Sequence, residues 1–234
     1  MNSFDSSIIS FLNDFAGHWK TFDEVMVFVS ESPLIKGGPI VACLWWLWFR
    51  PASAGPSRRD YVVAMVLTGI VGVLVARGFA ATLWFRDRPM VDPSQHFVMP
   101  YSFTGADLDS WSSFPSDHAV LFFSLSMGLF LAHRPVGVAA FAWTIVVICF
   151  PRMYLGIHWP TDLIAGAALA IVFTWLGTAP VIRDVVRARL LPWAESSPAL
   201  FYAGMFVVLF EVANLFDDGH DAFHVLSHAA KNIF

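Results

Sequence analysis

The stretch Tyr61–Phe85 is almost wholly apolar, with Arg77 as its one charged residue. A helix that crosses a bilayer needs about 20 predominantly apolar residues, and this stretch supplies them. Further apolar stretches follow the same pattern: Gly38–Phe49, with a start that extends back to Pro33 on the widest reading; His118–Leu131; Gly137–Cys149, reaching toward Tyr154; Pro160–Leu176; and Ala199–Phe216. The expected fold class is all-α, a polytopic membrane helical bundle with about six transmembrane helices. Residues 1–234 read as a single membrane-embedded domain. Its first part, 1–34, is an amphipathic segment lying on the bilayer surface or on the bundle, and its last part, 217–234, is a polar tail. The chain is 57% hydrophobic and only 14% charged, against about 25% charged in soluble domains. A soluble protein with an apolar core is the weaker reading. Trp45, Trp46 and Trp48 fit lipid-facing or interfacial anchors. Net charge is −4 with no basic tract, which argues against nucleic acid as a partner. Cys43 and Cys149 both lie in apolar stretches and read as packed thiols. The first twenty residues lack the pattern of a cleavable signal peptide, so the spans themselves are expected to target the protein.

Loop charge sets the expected orientation. Arg50, Arg58 and Arg59 separate the first two spans, Arg134 the third and fourth, and Arg183, Arg187 and Arg189 the fifth and sixth. The positive-inside rule places these loops in the cytoplasm. The other set is acidic, with Asp5, Asp14, Asp23, Glu24 and Glu31 at the start, Asp92, Asp107 and Asp109 in the long loop, and Asp217, Asp218 and Asp221 in the tail. Both ends of the chain and the long loop are then outside. The expected location is the plasma (inner) membrane, with the chemistry facing the periplasm or extracellular side.

Three clusters fall on that outer face: Arg86–Asp87–Arg88–Pro89, Pro115–Ser116–Asp117–His118, and Arg152, Tyr154, Gly156, His158 and Asp162. Pro115 suits the first turn of a helix, and Ser116 and Asp117 suit an N-terminus that attracts anions. Arginines fit phosphate oxygens bidentately and stay charged. One imidazole can attack phosphorus while another protonates the leaving oxygen. His158 and Asp162 are four residues apart, so a helix running through Pro160 would put them on one face, with Asp162 holding the ring's tautomer. Taken singly, each cluster is also what an ordinary interfacial residue set looks like; it is their meeting on one face that points to phosphate chemistry.

The pattern Arg-Pro, Pro-Ser-x-His, then Arg-x5-His-x3-Asp resembles that of the type-2 phosphatidic acid phosphatase superfamily, over Ala81 to Asp162. Residues 113–119 and 154–162 look most like the bacitracin-resistance type of undecaprenyl-pyrophosphate phosphatase, and His96 is similar in kind to that subgroup. The resemblance implies that His158 is the nucleophile and forms a phosphohistidine, that Asp162 orients it, and that His118 is the general acid. Arg88, Arg152 and Ser116 would hold the phosphate oxygens, with backbone N–H groups near Asp117. It implies no cofactor and no metal, and a lipid phosphate or pyrophosphate as partner. Two positions depart from the family. Its first motif begins with a lysine where this chain has Ala81, and Arg77 and Arg86 are the candidate replacements. Pro151 stands where the family commonly has serine.

The expected activity is hydrolysis of a prenyl pyrophosphate, with undecaprenyl pyrophosphate as the preferred substrate, to the monophosphate and phosphate. The alternatives are the same chemistry on phosphatidylglycerol phosphate, phosphatidic acid or lipid A, a lipid phosphotransferase, or a non-enzymatic lipid-binding or transport protein. Outside the site, His220, His224 and His228 repeat every four residues and read as a solvated face or, less readily, a metal stripe. Phe97–Trp111 reads as a lid over a lipid chain or as an ordinary structured loop.

Overall fold

The computed structural model describes residues 2–51, 58–105 and 112–215. The tail histidines and the end of the 97–111 loop lie outside the described residues. Among the described residues every regular element is a helix.

Arg59–Thr82 (α5), Arg134–Tyr154 and Pro160–Gly177 (α9) are each long and apolar enough to cross a membrane. Arg134–Tyr154 contains Arg134–Trp143 (α7), a π-helical segment over Thr144–Cys149, and Phe150–Tyr154 (α8). Two shorter apolar helices, Gly38–Phe49 (α4) and Asp117–Ala132 (α6), match the first and third expected spans. At 1.5 Å per residue α6 is about 24 Å long, less than the roughly 30 Å of hydrocarbon. It tolerates this because protein surrounds it: it packs against α5, α7 and α9, and Val120, Leu121, Phe122, Leu125 and Leu129 are fully buried. Small residues make the close crossings possible. A Cβ on Gly128 would lie 2.4 Å from Met65 Cβ, and one on Gly72 would lie 2.9 Å from Val120 Cγ1.

The expected polar connection Arg183–Pro198 is instead helical, as Pro180–Arg189 (α10) and Leu191–Ser196 (α11). Arg183 and Arg187 turn inward onto Asp60, at 3.2 and 2.6 Å, while Val181, Ile182 and Val185 are exposed. Pairing of its charges lets a segment of mixed polarity hold a helix. The Pro180–Ser196 segment meets Pro198–Ala213 (α12) at a 116° bend. With α12 the bundle has the sixth apolar element that the sequence suggests.

The N-terminal segment docks on the bundle. It forms Ser3–Asn13 (α1), Lys20–Glu31 (α2) and the single turn Pro33–Lys36 (α3). Asp5 and Asp23 are fully buried, so two of the carboxylates that the charge pattern assigns to a solvent-facing region serve the interior. Asp23 accepts from Tyr154 Oη and from the backbone N–H groups of Gly17 and Tyr101. The first span does not run back to Pro33: α3 and α4 are separate, and Gly37 between them is pressed against α12, where an added Cβ would lie 2.5 Å from Ala213 Cα. Phe97 is also pinned, its ring lying against Gly156, and the Val98 backbone exchanges two 2.8 Å bonds with the Asn13 side chain.

Candidate active site

Three chain segments are tied together at one end of the bundle. The backbone N–H of Ser113 donates to the Arg86 carbonyl at 3.0 Å, and that of Ser116 donates to the Asp162 carbonyl at 3.3 Å. These bonds put the start of α6 beside the segment after α5 and the start of α9.

Helix α6 begins at Asp117, so Pro115 precedes the helix and does not lie in its first turn. Ser116 is the N-cap: its buried Oγ accepts from the Ala119 N–H at 3.3 Å. Asp117 follows at the positive end of the helix. Its Oδ1 accepts from the His118 N–H at 2.8 Å and lies 3.2 Å from His118 Nδ1. The His118 Nε2 atom is buried and has no hydrogen-bond partner among the described residues.

Helix α9 begins at Pro160 with Trp159 as N-cap. His158 therefore stands outside the helix, and its approach to Asp162 comes from the capping turn. Asp162 Oδ2 accepts from the Trp159 N–H at 2.9 Å. Asp162 is 3.8 Å from His158 Nδ1, whereas the Ser113 carbonyl is 2.9 Å from the same atom. A carbonyl only accepts, so Nδ1 carries the proton and Nε2 keeps its lone pair. The backbone of the second motif thus orients the histidine of the third. Burial pushes the His158 pKa below the ordinary imidazole value; the Arg88 charge adds to this, and Asp162 and Asp117 oppose it. Donor atoms of Asp117, His118 and His158 all lie within 4.8 Å of one another.

Arg88 and Arg152 are buried, with 7% and 3% exposure. Arg88 Nη1 donates to the Ile157 carbonyl at 2.9 Å and Arg152 Nη2 to the Ser30 carbonyl at 3.1 Å. The charge of Arg88 acts on His158 and that of Arg152 on His118. Main-chain carbonyls thus orient two cations beside the imidazole pair.

The candidates for the cation absent at Ala81 differ in their surroundings. Arg86 is bound into the scaffold: its Nη2 lies 2.6 Å from Asp5, while its Nη1 pairs with Asp162 and donates to Thr161 Oγ1 at 2.8 Å. It also lies over the Trp159 ring, 5.4 Å from the centroid. Arg77 reaches the site, with Nε 3.4 Å from Asp117 Oδ2 and Nη2 donating to the Leu215 carbonyl at 2.9 Å. Sequence patterns missed Asp5, which also accepts from the backbone N–H of Thr161 at 3.0 Å, and Ser113, whose contribution is a carbonyl. Neither is marked by side-chain type or spacing.

The model of the PAP2 superfamily matches residues 59–183. The bacitracin transport permease protein BcrC of Bacillus licheniformis is 40% identical over 69% of this chain and 73% of its own length. Undecaprenyl-diphosphatase BcrC of Bacillus subtilis is 26% identical over 72% of this chain and 80% of its own length. The lipid A 1-diphosphate synthase of Escherichia coli is 27% identical, with 82% and 81% covered. No solved structure gives a significant match. The chain belongs to the PAP2 superfamily and is a multi-pass helical membrane protein of the phosphoric-ester and diphosphate hydrolase class.

Proposed function

We propose that this protein hydrolyses a polyprenyl pyrophosphate, undecaprenyl pyrophosphate above all, at the outer face of the plasma membrane. The observation that carries the reading is the meeting of His118, His158 and Asp117 within 4.8 Å, beside two buried arginines. His158 Nε2 attacks the terminal phosphorus, a P–N bond forms and the phosphoanhydride P–O bond breaks. His118, paired through Nδ1 with Asp117, gives its Nε2 proton to the departing prenyl phosphate. Water then hydrolyses the phosphohistidine, and His118 takes the proton from that water. Arg88 and Arg152 stabilise the charge on the phosphoryl oxygens, with Ser116 and the first N–H groups of α6 as further donors. Asp162 acts on His158 through the capping turn and the electrostatic field. The undecaprenyl-diphosphatase relative supports the choice of lipid.

The test is phosphate release from prenyl pyrophosphate by purified protein in detergent, with EDTA present. His158→Ala is expected to lower the rate by about a thousandfold or more. Activity that survives this substitution overturns the assigned nucleophile. Activity abolished by EDTA and restored by a divalent ion would instead assign Asp117, His118 and His158 to a metal. The similarity to lipid A 1-diphosphate synthase favours one second reading, phosphotransfer to a lipid acceptor. Labelled phosphate appearing on an added lipid and not in solution would establish it.

A further inference from the structure

The N-terminal segment lies outside residues 59–183, which match the family, yet three of its groups reach the third cluster of the site. The Ser30 carbonyl accepts from Arg152 Nη2 at 3.1 Å. Asp23 accepts from Tyr154 Oη. Asp5 meets the start of α9, where its Oδ1 accepts from the Thr161 N–H at 3.0 Å and its Oδ2 from the Thr161 hydroxyl at 2.6 Å. Asp5 is fully buried, and a buried carboxylate is costly unless it is paired. Its pairing comes from Arg86, whose Nη2 lies 2.6 Å from Asp5 Oδ2 while its Nη1 pairs with Asp162 Oδ1. One guanidinium group therefore stands between two carboxylates, and both are fully buried. The other oxygen of Asp162 accepts from the Trp159 N–H at 2.9 Å and lies 3.8 Å from His158 Nδ1.

We propose that Asp5 is a positioning residue of the phosphatase site: by holding one arm of Arg86 it leaves Asp162 to face His158. The inference rests on the phosphatase reading above and adds to it a residue from outside the matched part of the chain. A guanidinium fork can take a single carboxylate with two nitrogens. Without the Asp5 charge, Arg86 can close on Asp162 alone, neutralise it and draw it away from the Trp159 N–H. With Nη2 held by Asp5, Asp162 keeps its charge for the His158 ring, which becomes cationic as Nε2 bonds to phosphorus. Asp5 acts at a remove from the substrate, so its effect falls on kcat and not on KM.

The experiment measures phosphate release from farnesyl pyrophosphate by the full chain in detergent, with thermal midpoints taken on the same preparations. Asp5→Asn keeps the size of the side chain and removes its charge. It should lower kcat about tenfold, the effect of one charge-assisted hydrogen bond, with KM within about twofold of wild type. Asp162→Asn should cost more, and adding Asp5→Asn to it should change kcat by less than about twofold, since Asp5 then has no second carboxylate to act on. A purely structural part for Asp5 would instead multiply the two losses. Arg86→Lys, whose single ammonium group does not fork between both carboxylates, should match Asp5→Asn and carries the test if Asp5→Asn does not fold. A wild-type kcat in either single variant, a loss confined to KM, or losses that multiply in the double variant overturn the part given to Asp5 and leave the phosphatase reading standing. A wild-type chain that releases no phosphate overturns the phosphatase reading itself.

Discussion

A histidine nucleophile works in its neutral form, and the surroundings of His158 favour that form. Burial and the Arg88 charge lower its pKa against the opposing pull of Asp162 and Asp117. In NMR of nitrogen-labelled protein, assigned with His158→Gln, this ring should titrate below the ordinary value of about 6.5, with the proton of the neutral form on Nδ1. A titration at or above that value, or a proton on Nε2, contradicts the assignment. The sign for stability follows. As pH falls through the unfolded value the unfolded chain takes up the proton first, so this group's contribution is full above about pH 6.5 and declines below it until the folded pKa is reached. Asp5 carries the second prediction at this scale. It is fully buried and joins Arg86 and Thr161, so Asp5→Ala leaves the Arg86 charge with one carboxylate fewer. Breaking such a buried pair costs about 3–5 kcal/mol, to be read as a lower midpoint of thermal unfolding in detergent. A midpoint within a degree or so of wild type would mean that solvent replaces the carboxylate.

Between elements, the separation of the two histidines depends on how closely α9 approaches the start of α6. Gly166 sets that approach: a Cβ there would lie 2.7 Å from the Ser116 carbonyl and 2.8 Å from Ala119 Cβ. Gly166→Val must move one helix against the other, and a displacement near 1 Å costs about a hundredfold when geometry limits the reaction. The expected result is a kcat reduced on that order, a smaller change in KM, and unchanged helix content by circular dichroism. A kcat within threefold of wild type would show that the crossing does not set the site. The helices themselves were largely legible in the sequence, because burial in lipid demands apolar stretches that composition reveals. Helices α10 and α11 were not, because Arg183 and Arg187 look like loop charges until Asp60 is seen opposite them. The meeting of the second and third clusters at one end of the bundle follows the expectation that they share a face, while the hydrogen-bond partners of their side chains were not legible. His158 is held by a Ser113 carbonyl, and any residue type offers a carbonyl.

Across the whole molecule, charge is sorted between the two ends of the bundle. Arg88, Arg152 and the histidine pair lie at one end. At the other, Arg58 donates to the Ala132 carbonyl, Arg59 donates to the Trp48 carbonyl at 3.3 Å, and Arg183 and Arg187 hold Asp60. Arg50 and Arg59 also lie over the rings of Trp46 and Trp48, 5.1 and 5.3 Å from their centroids, a pairing suited to an interface that is apolar on one side and wet on the other. The burial of Asp5 and Asp23 leaves the expected orientation unchanged, since that expectation rests on the loop arginines and acidic residues contribute little to the rule. The orientation is testable in intact cells. With Cys43 and Cys149 replaced by alanine, a cysteine at exposed Ser94 on the site end should react with a membrane-impermeant maleimide, and one at exposed Ser196 near α10 should react only after the membrane is opened. The reverse pattern would place the histidine pair in the cytoplasm, and the proposed hydrolysis would then act on the inner leaflet.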